Sequence, residues 1–474
     1  MEQKEKTVPR SILWPFILLI VLFFAWGVPN NLTDTMLAAF KRIMSLSDSK
    51  TAWIQVVCYL LGYGCFALPG ALLIKRYSYK TGVIAGLAMY SLGTFLFMPA
   101  SNVAVTNNSL GYLMFLFAIL VLFAGLSVLE TSANSYVLAI GPESTATRRL
   151  NLAQSFNPFG AISGVVISQV FILSQLNTKT AAERASMSEA ELAAIQSGEL
   201  NAITTTYVIL GIVMLVILGL FLISKFPKIQ EDSGPMNIKE SVGRLVKNKK
   251  YVMGVAAEFF YVGAQIAAWS YTIRYAMQAL GFDSIIASLG PGATSGQIVS
   301  ALRGVEPVAG VFYSVCDAIG LDALLPRTAE QAGATYYIMS LILFVVMRFV
   351  CTWLLKWIKP RKLLSVMSLL AVLCCLGTVF GKGATGVYCL MCISGCMSLM
   401  FPTIYGLGVN GLGKDTKIGG SGMVMAIAGA SVLTQIAGVL SDKSGNIAVS
   451  YLVSTAGFLF ILYYAAVFCR KHNV

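Results

Sequence analysis

Charged residues are scarce in this 474-residue chain: Asp, Glu, Lys and Arg make up 12% of it, whereas hydrophobic residues make up 57%. Because a soluble globular protein has about 25% charged residues, this composition excludes one as the main body of the protein. Histidine occurs once, as His472. The sequence has neither a cluster of metal ligands nor a glycine-rich phosphate loop that opens a helix, so we do not expect an enzyme. It also lacks the separate soluble output domain that a membrane sensor needs.

Paired cysteines are missing as well, although the chain has ten cysteines. Nine lie in or at the ends of apolar segments, and only Cys316 falls in an outer loop, without a partner there. Cys389, Cys392 and Cys396 have helical spacing, but neither a His nor a further thiol accompanies them. We therefore interpret them as small packing residues and expect no metal site.

Apolar runs of membrane-spanning length are abundant. A spanning helix needs about 20 apolar residues, and the sequence contains about twelve such segments. They lie near residues 12–39, 51–74, 81–99, 110–140, 150–176, 202–224, 251–280, 334–355, 363–381, 384–411, 418–441 and 447–468. The fold class that this pattern predicts is an all-α membrane protein with about twelve transmembrane helices.

Lys and Arg are unevenly distributed over the loops between these segments. With the N-terminus inside, the inner loops and termini hold 23 of them and the outer loops hold nine. This excess obeys the positive-inside rule. We therefore predict a multi-pass protein of the plasma (inner) membrane with both termini in the cytoplasm, surrounded by the lipid bilayer. The same distribution explains the net charge of +13 without nucleic acid as a partner.

The longest inner loop divides the chain near its middle. Residues 1–224 form an N-terminal half of six spans, residues 225–250 a cytoplasmic linker, and residues 251–474 a C-terminal half of six spans. Similar polar turns follow the fourth and tenth spans, although chance similarity of short turns is the alternative. Parallel repeats of this kind place a binding site between the halves near the membrane midplane. In the outer loop 281–333, the apolar piece 310–325 is too short and too charged to span, and we expect the loop to form an ordered or partly ordered cap.

Two acids inside predicted spans are the candidates for chemistry. Asp34 lies in the outer part of the first span, and Glu130 stands about ten residues before the inner end of the fourth. An ionised Asp at the centre of a membrane costs ~2.5–3.5 kcal/mol on insertion scales, so such acids tend to face a cavity or a partner. We predict that Asp34 and Glu130 carry the coupling proton, and that no other cofactor is needed. Static packing of Asp34 against a neighbouring helix is the alternative.

Two further charged residues are possible charge partners. Arg348 lies deep in the eighth span, where it would offset an ionised Glu130 or Asp34. Glu258 lies about seven residues into the seventh span and either takes part in this network or reaches the inner interface.

Polar and aromatic side chains of the kind that bind sugars share spans with these acids. Amides offer a donor and an acceptor together, which suits hydroxyl groups, and flat rings suit the apolar face of a pyranose. The predicted substrate-binding residues are Asn30, Asn31, Asn134, Gln154, Asn157, Gln265, Trp269 and Phe401. Each amide alone has an alternative role in bridging helices.

Several of these residues lie in motifs that resemble the fucose permease (L-fucose:proton symporter) family of the major facilitator superfamily. The motifs are Asn30-Asn-Leu-Thr-Asp34, Leu129-Glu-Thr-Ser-Ala-Asn134, Arg149-Leu-Asn-Leu-Ala-Gln154, Tyr261-Val-Gly-Ala-Gln265 and Gly413-Lys-Asp-Thr-Lys417. The resemblance implies twelve helices and sugar uptake driven by a proton gradient. It also implies that Asp34 and Glu130 are the protonatable pair and that Asn31 and Asn157 contact the sugar, with Gln154 a weaker candidate.

The chain departs from this family's pattern at three places. Phe401 stands where the family has a tyrosine, Glu258 stands in place of an amide, and the loop 281–333 is longer than its counterpart. Related branches carry glucose, galactose or N-acetylglucosamine, and some use sodium, so a transporter of that kind stays open as the alternative. The context of Gln265 favours the fucose branch. We expect a small sugar as the substrate and a monomeric protein.

Overall fold

The computed structural model describes residues 7–44, 46, 53–172, 175, 186–227, 238–290, 293–305, 307–321, 324–326 and 329–472, without the side chains of residues 33–39, 41, 42, 169, 189, 238, 305, 307 and 330. Over these residues the chain is helical and contains no β-strand. Twelve of the described helices are long and apolar enough to cross a membrane. The predicted all-α membrane protein with twelve spans is therefore confirmed.

The spans are numbered 1 to 12 in chain order. They are Arg10–Leu32, Trp53–Arg76, Tyr79–Thr106, Asn108–Ala139, Glu143–Ile172, Ala190–Ile223, Lys249–Ser270, Gln331–Leu354, Pro360–Phe380, Ala384–Val409, Gly413–Ser444 and Ile447–Lys471. The α-helix of span 1 runs over Leu13–Ile43 and continues through Pro29. Span 2 begins with a π-helical segment, Val56–Tyr63, and continues as the α-helix Gly64–Arg76.

The longest inner loop and the long outer loop also contain helices. The linker forms the helix Ile238–Lys247 directly before span 7. A short helix, Thr272–Leu280, follows span 7. The outer loop then contains the helices Phe282–Ser288, Ser295–Val305 and Pro307–Ala318. Of these, Pro307–Ala318 has only 12 residues, which is too short to span the membrane.

Arg149 shows how one buried side chain ends a span. Its Nε and Nη2 atoms donate hydrogen bonds of 2.7 Å to the carbonyl oxygens of Val137 and Leu138, and Nη1 donates to that of Pro142 at 3.1 Å. The last carbonyls of a helix have no partner within the helix. A guanidinium group with several donors satisfies them, and it fixes the start of span 5 against the end of span 4.

The described residues form two compact units. Unit 1 lies within Met1–Ala256 and Tyr405–Ser431, and unit 2 within Ala257–Ile404 and Val432–Val474. Residues 405–431, which the sequence assigns to the C-terminal half, are thus packed in the unit that contains the N-terminal half. The division into halves of 1–224 and 251–474 was inferred from the repeat and stays a prediction.

In unit 1, spans 3 and 4 pack along their length, and span 1 packs against span 5. Small residues allow the second contact, because a Cβ atom on Gly160 would overlap the carbonyl oxygen of Phe24, and one on Gly164 would overlap that of Val28. The first part of span 11, Thr416–Met425, packs against spans 2 and 4. Spans 1, 2, 4 and 5 are thereby held closely enough for their polar side chains to meet.

In unit 2, span 9 packs against spans 10 and 12, and span 8 packs against span 10. Span 12 also bonds to span 7, since the Ser454 hydroxyl donates to the carbonyl oxygen of Ala264 at 3.0 Å and the Tyr451 hydroxyl to that of Ala268 at 3.2 Å. These contacts fix the helix that carries Glu258, Gln265 and Trp269.

Candidate functional site

A buried carboxyl group lies at the centre of the polar residues of unit 1. Glu130, in span 4, is 7% exposed, and its polar neighbours are the Tyr63 hydroxyl and the Asn134 side chain. Tyr63 is 1% exposed; its hydroxyl donates to Glu130 and accepts from the amide of Asn30. A carboxyl group held this way accepts the tyrosine hydrogen bond when it is ionised and donates its own proton when it is neutral.

An amide pair continues the network from span 4 to span 5. Gln154 Nε2 donates to Asn134 Oδ1 at 2.8 Å, and both side chains are buried. Asn134 Nδ2 is buried beside the Glu130 carboxyl group and makes no close hydrogen bond with the described residues. Because a buried donor without a close partner costs about 1–3 kcal/mol, this atom is suited to donate either to Glu130 or to an acceptor that arrives from outside the protein.

Three further predicted amides lie in unit 1, and they differ in the hydrogen bonds that they make within the protein. Asn157 Nδ2 donates to the carbonyl oxygen of Phe23 at 3.1 Å, so this group joins span 5 to span 1. Its Oδ1 atom is the part left for a ligand. Asn30 Oδ1 is buried without a hydrogen bond to the described residues. Asn31 is 8% exposed and belongs to the same helix.

Asp34, the first of the two predicted protonatable residues, belongs to the helix Leu13–Ile43. Its side chain lies outside the described part of the structure. Its pairing with Glu130 in proton coupling therefore stays a prediction.

Unit 2 contains a buried cation among aromatic rings. Arg348 is 3% exposed, and its Cζ atom lies 4.9 Å from the centroid of the Phe344 ring. Its Nε and Nη1 atoms are buried and make no hydrogen bond with the described residues. Trp269 packs edge-on against Phe344 at 5.3 Å between ring centroids, and its Nε1 donates to the Ser394 hydroxyl at 3.0 Å.

The remaining predicted residues of unit 2 lie around Tyr261. The Tyr261 hydroxyl donates to the carbonyl oxygen of Met397 at 3.1 Å, and its ring lies 6.4 Å from that of Phe401. Glu258 and Arg348 both act electrostatically on this tyrosine. Glu258 is fully buried, and Gln265, one helical turn beyond Tyr261, is half-buried. The role of Arg348 as a charge partner of Glu130 or Asp34 stays a prediction.

Tyr63 is a site residue that the sequence analysis missed. A tyrosine in an apolar span is ordinary, since its ring suits the interior and its hydroxyl finds one partner. Tyr63 ends the π-helical segment of span 2, and π-helical turns occur often at functional sites. The Ser127 hydroxyl donates to the Tyr63 carbonyl oxygen at 3.2 Å and so supports the altered backbone. Nothing in the sequence marks that change of helical register.

Twelve spans with a buried acid, a buried cation and several amides inside them define a polytopic membrane protein of the transporter class. The chain belongs to the Major Facilitator Superfamily, whose family model matches residues 15–427. The predicted superfamily and the expectation that the protein is not an enzyme are therefore confirmed.

Two curated relatives have closely similar sequences. The chain is 34% identical to the L-fucose-proton symporter of Escherichia coli strain K12 over 466 residues, which cover 98% of this chain and 94% of that protein. It is 34% identical to the L-fucose-proton symporter of Haemophilus influenzae over 444 residues, which cover 92% and 91%. The resemblance to the fucose permease family is thus confirmed.

A crystal structure of FucP, a Major Facilitator Superfamily transporter in the outward conformation, is similar to this chain. The identity is 35%, the TM-score is 0.77, and the match covers 96% of this chain and 99% of that one.

Proposed function

We propose that this protein is a proton-coupled symporter that takes up L-fucose or a similar hexose by alternating access. The observation that carries the proposal is the position of Glu130, a buried acid inside a span whose neighbours are a tyrosine hydroxyl and an amide. The similarity to two L-fucose-proton symporters over nearly the whole chain supports the same function.

Glu130 is proposed to carry the coupling proton. When Glu130 is protonated, it needs no counter-charge in the membrane, and the loaded transporter can close to one side of the membrane and open to the other. When it is ionised, the hydrogen bond from Tyr63 stabilises the carboxylate. Asp34 is proposed as the second protonatable group on the strength of the resemblance. Proton movement between the two is the step that couples the gradient to the sugar.

The predicted amides and aromatic rings are proposed to bind the sugar. Asn134 Nδ2, beside Glu130, is proposed to donate to a sugar hydroxyl, and Asn157 Oδ1 is proposed to accept from one. Asn31 and Gln265 provide further amides, and Trp269 and Phe401 provide flat surfaces for the apolar face of the sugar ring. Rocking of the N-terminal and C-terminal halves then exposes the sugar first to one side and then to the other.

Further parts of the proposal follow from the charge distribution and composition. The protein is proposed to lie in the inner membrane as a monomer, with both termini in the cytoplasm, since the inner loops hold most of the Lys and Arg residues. The proton is proposed as the coupling ion, with sodium as the alternative, and no other cofactor is expected.

The test is counterflow of radiolabelled L-fucose in proteoliposomes against a panel of unlabelled sugars. We expect L-fucose to exchange best, and strong glucose or galactose exchange without a fucose signal would contradict the substrate assignment. Replacing the acid by Glu130→Gln should preserve counterflow, because the neutral amide resembles the protonated acid, and should abolish uptake driven by a pH gradient. Equal loss of both activities would contradict a coupling role.

A further inference from the structure

A large cavity opens in unit 1 away from Glu130 and its amides. Its volume is about 1770 Å³, which exceeds the roughly 300–1,000 Å³ of a usual small-ligand pocket. Four stretches of chain form its walls: the turn after span 2, the turn between spans 4 and 5, the beginning and the helix of the linker, and the turn between spans 10 and 11. All four are inner loops in the predicted topology, so the cavity is placed on the cytoplasmic side.

The walls of this cavity are strongly basic. Seven Lys and Arg residues and two Glu residues line it, which gives a net formal charge of +5. The basic residues are Lys75, Arg76, Lys80, Lys225, Arg244, Lys414 and Lys417. Concave surfaces lined by one sign of charge concentrate the field and attract counter-ions. The positive-inside rule explains why such loops are basic, but it does not require separate loops to face one cavity.

Some of these cations already have protein partners. The Arg244 guanidinium donates two hydrogen bonds of 2.8 Å to the Asp415 carboxylate, which raises the pKa of Arg244. Lys80 Nζ donates to the carbonyl oxygens of Leu222 and Ser224 at 3.0 and 2.9 Å. The bonds of Arg244 hold the linker helix to the turn between spans 10 and 11, and those of Lys80 hold the start of span 3 to the end of span 6. These hydrogen bonds hold the walls of the cavity in place around the other cations.

Two other cations of the cavity, Lys225 and Lys414, remain available. Lys225 and Lys414 are exposed, and neither makes a hydrogen bond or a salt bridge with another described residue. The rings of Tyr79 and Tyr136 stack at 5.2 Å between centroids, and Lys417 Nζ lies 4.9 Å from the Tyr79 ring. The cavity thus combines the ammonium groups of Lys225 and Lys414 with a wall of buried tyrosine rings, and the ammonium groups suit a bound anion.

From this arrangement we propose that the cavity is a binding site for a phosphate-bearing ligand with two or more negative charges. A phosphate group accepts several charge-assisted hydrogen bonds at once, and ammonium groups bind it well as point charges. The source is a soluble phosphate compound of the cytoplasm or the head group of an anionic lipid. This site is separate from the proposed sugar site, so its occupancy does not depend on the proposed function.

The test measures binding of tripolyphosphate by titration calorimetry to the full-length protein in phosphatidylcholine nanodiscs. Wild type should bind it saturably with one site per chain. The double variant Lys225→Gln with Lys414→Gln should bind roughly tenfold more weakly or worse, because two cations are lost. The matched control, Lys359→Gln with Lys362→Gln, removes two cations from an inner turn that does not line the cavity, and its affinity should stay within about twofold.

Nanodiscs that contain phosphatidylglycerol distinguish the two sources. If phosphatidylglycerol weakens the binding of tripolyphosphate to wild type but not to the cavity variant, the site binds a lipid head group. If the affinity of wild type for tripolyphosphate is unchanged by phosphatidylglycerol, the site binds a soluble phosphate compound. Equal weakening in the cavity variant and the control variant would overturn the proposal, because it would show attraction by the basic face as a whole. Absence of saturable binding together with no effect of phosphatidylglycerol would also overturn it.

Discussion

Removal of the Tyr63 hydroxyl tests whether the network around Glu130 serves proton coupling. The variant Tyr63→Phe keeps the ring, which lies 6.4 Å from the Tyr59 ring and 6.1 Å from the Phe123 ring between centroids. It also keeps the carbonyl oxygen that accepts from Ser127. Only the hydrogen bonds to Glu130 and Asn30 are lost. The substitution therefore changes the chemistry of the acid while the packing stays the same.

The size of the effect follows from the charge on the acceptor. A hydrogen bond to a charged group contributes about 1.5–3 kcal/mol and one between neutral groups about 0.5–1.5 kcal/mol. The hydroxyl thus stabilises the carboxylate over the neutral acid by about 1–1.5 kcal/mol, which is a factor of about ten. Active uptake requires Glu130 to release its proton, whereas counterflow does not. We expect Tyr63→Phe to lower uptake driven by a pH gradient about tenfold and counterflow about twofold or less.

The assay compares both activities in proteoliposomes with the same variant and a matched control. Tyr90 is fully buried, and its hydroxyl makes no hydrogen bond with the described residues, so Tyr90→Phe should leave both activities unchanged. In the Glu130→Gln background, which retains counterflow, Tyr63→Phe should lower counterflow by about twofold or less. Wild-type uptake in Tyr63→Phe, or a tenfold loss of counterflow in either Tyr63→Phe variant, would refute the role given to the hydroxyl.

Three further predictions concern packing and the sugar site. Gly160→Ala places a methyl group against span 1 and should lower the stability by about 1–3 kcal/mol, measured as a lower midpoint of thermal unfolding. In the control Gly219→Ala the added methyl group meets nothing within 4 Å, and the midpoint should stay the same. Arg149→Met leaves buried carbonyl oxygens unsatisfied and should lower the stability by about 2–4 kcal/mol, which also lowers the midpoint of thermal unfolding. Trp269→Phe loses the hydrogen bond to Ser394 and should raise the KM for the sugar about two- to tenfold without changing proton coupling. An unchanged midpoint in either of the first two, or an unchanged KM in the third, would contradict the contacts described.

Much of the fold is predictable from the sequence because a membrane imposes a simple rule. Every span must be apolar over about 20 residues, and this rule locates all twelve. The cost of charge in lipid likewise identifies Glu130 as a candidate, and the structure places it beside Asn134. The pairing of Asn134 with Gln154 is not readable, since it depends on the side-by-side packing of spans 4 and 5.

The parts that sequence reasoning missed depend on backbone detail and long-range packing. The position of Tyr63 follows from a π-helical register that no local pattern shows. Arg149 reads as one more basic residue of an inner loop, yet it is fully buried and caps span 4. The packing of residues 405–431 with unit 1 depends on contacts between distant parts of the chain, such as Arg244 with Asp415. The distribution of charge along the sequence assigns Arg244 and Asp415 to inner loops, but it does not show that they form a pair.

The central claim is that a proton moves with the sugar through Glu130, and a pH measurement tests it most directly. Proteoliposomes in a weakly buffered medium receive L-fucose while the external pH is recorded. We predict alkalinisation of the medium for wild type and none for Glu130→Gln, while both variants still exchange labelled L-fucose. Accumulation of L-fucose by wild type without any alkalinisation, or dependence of that accumulation on sodium, would contradict the account.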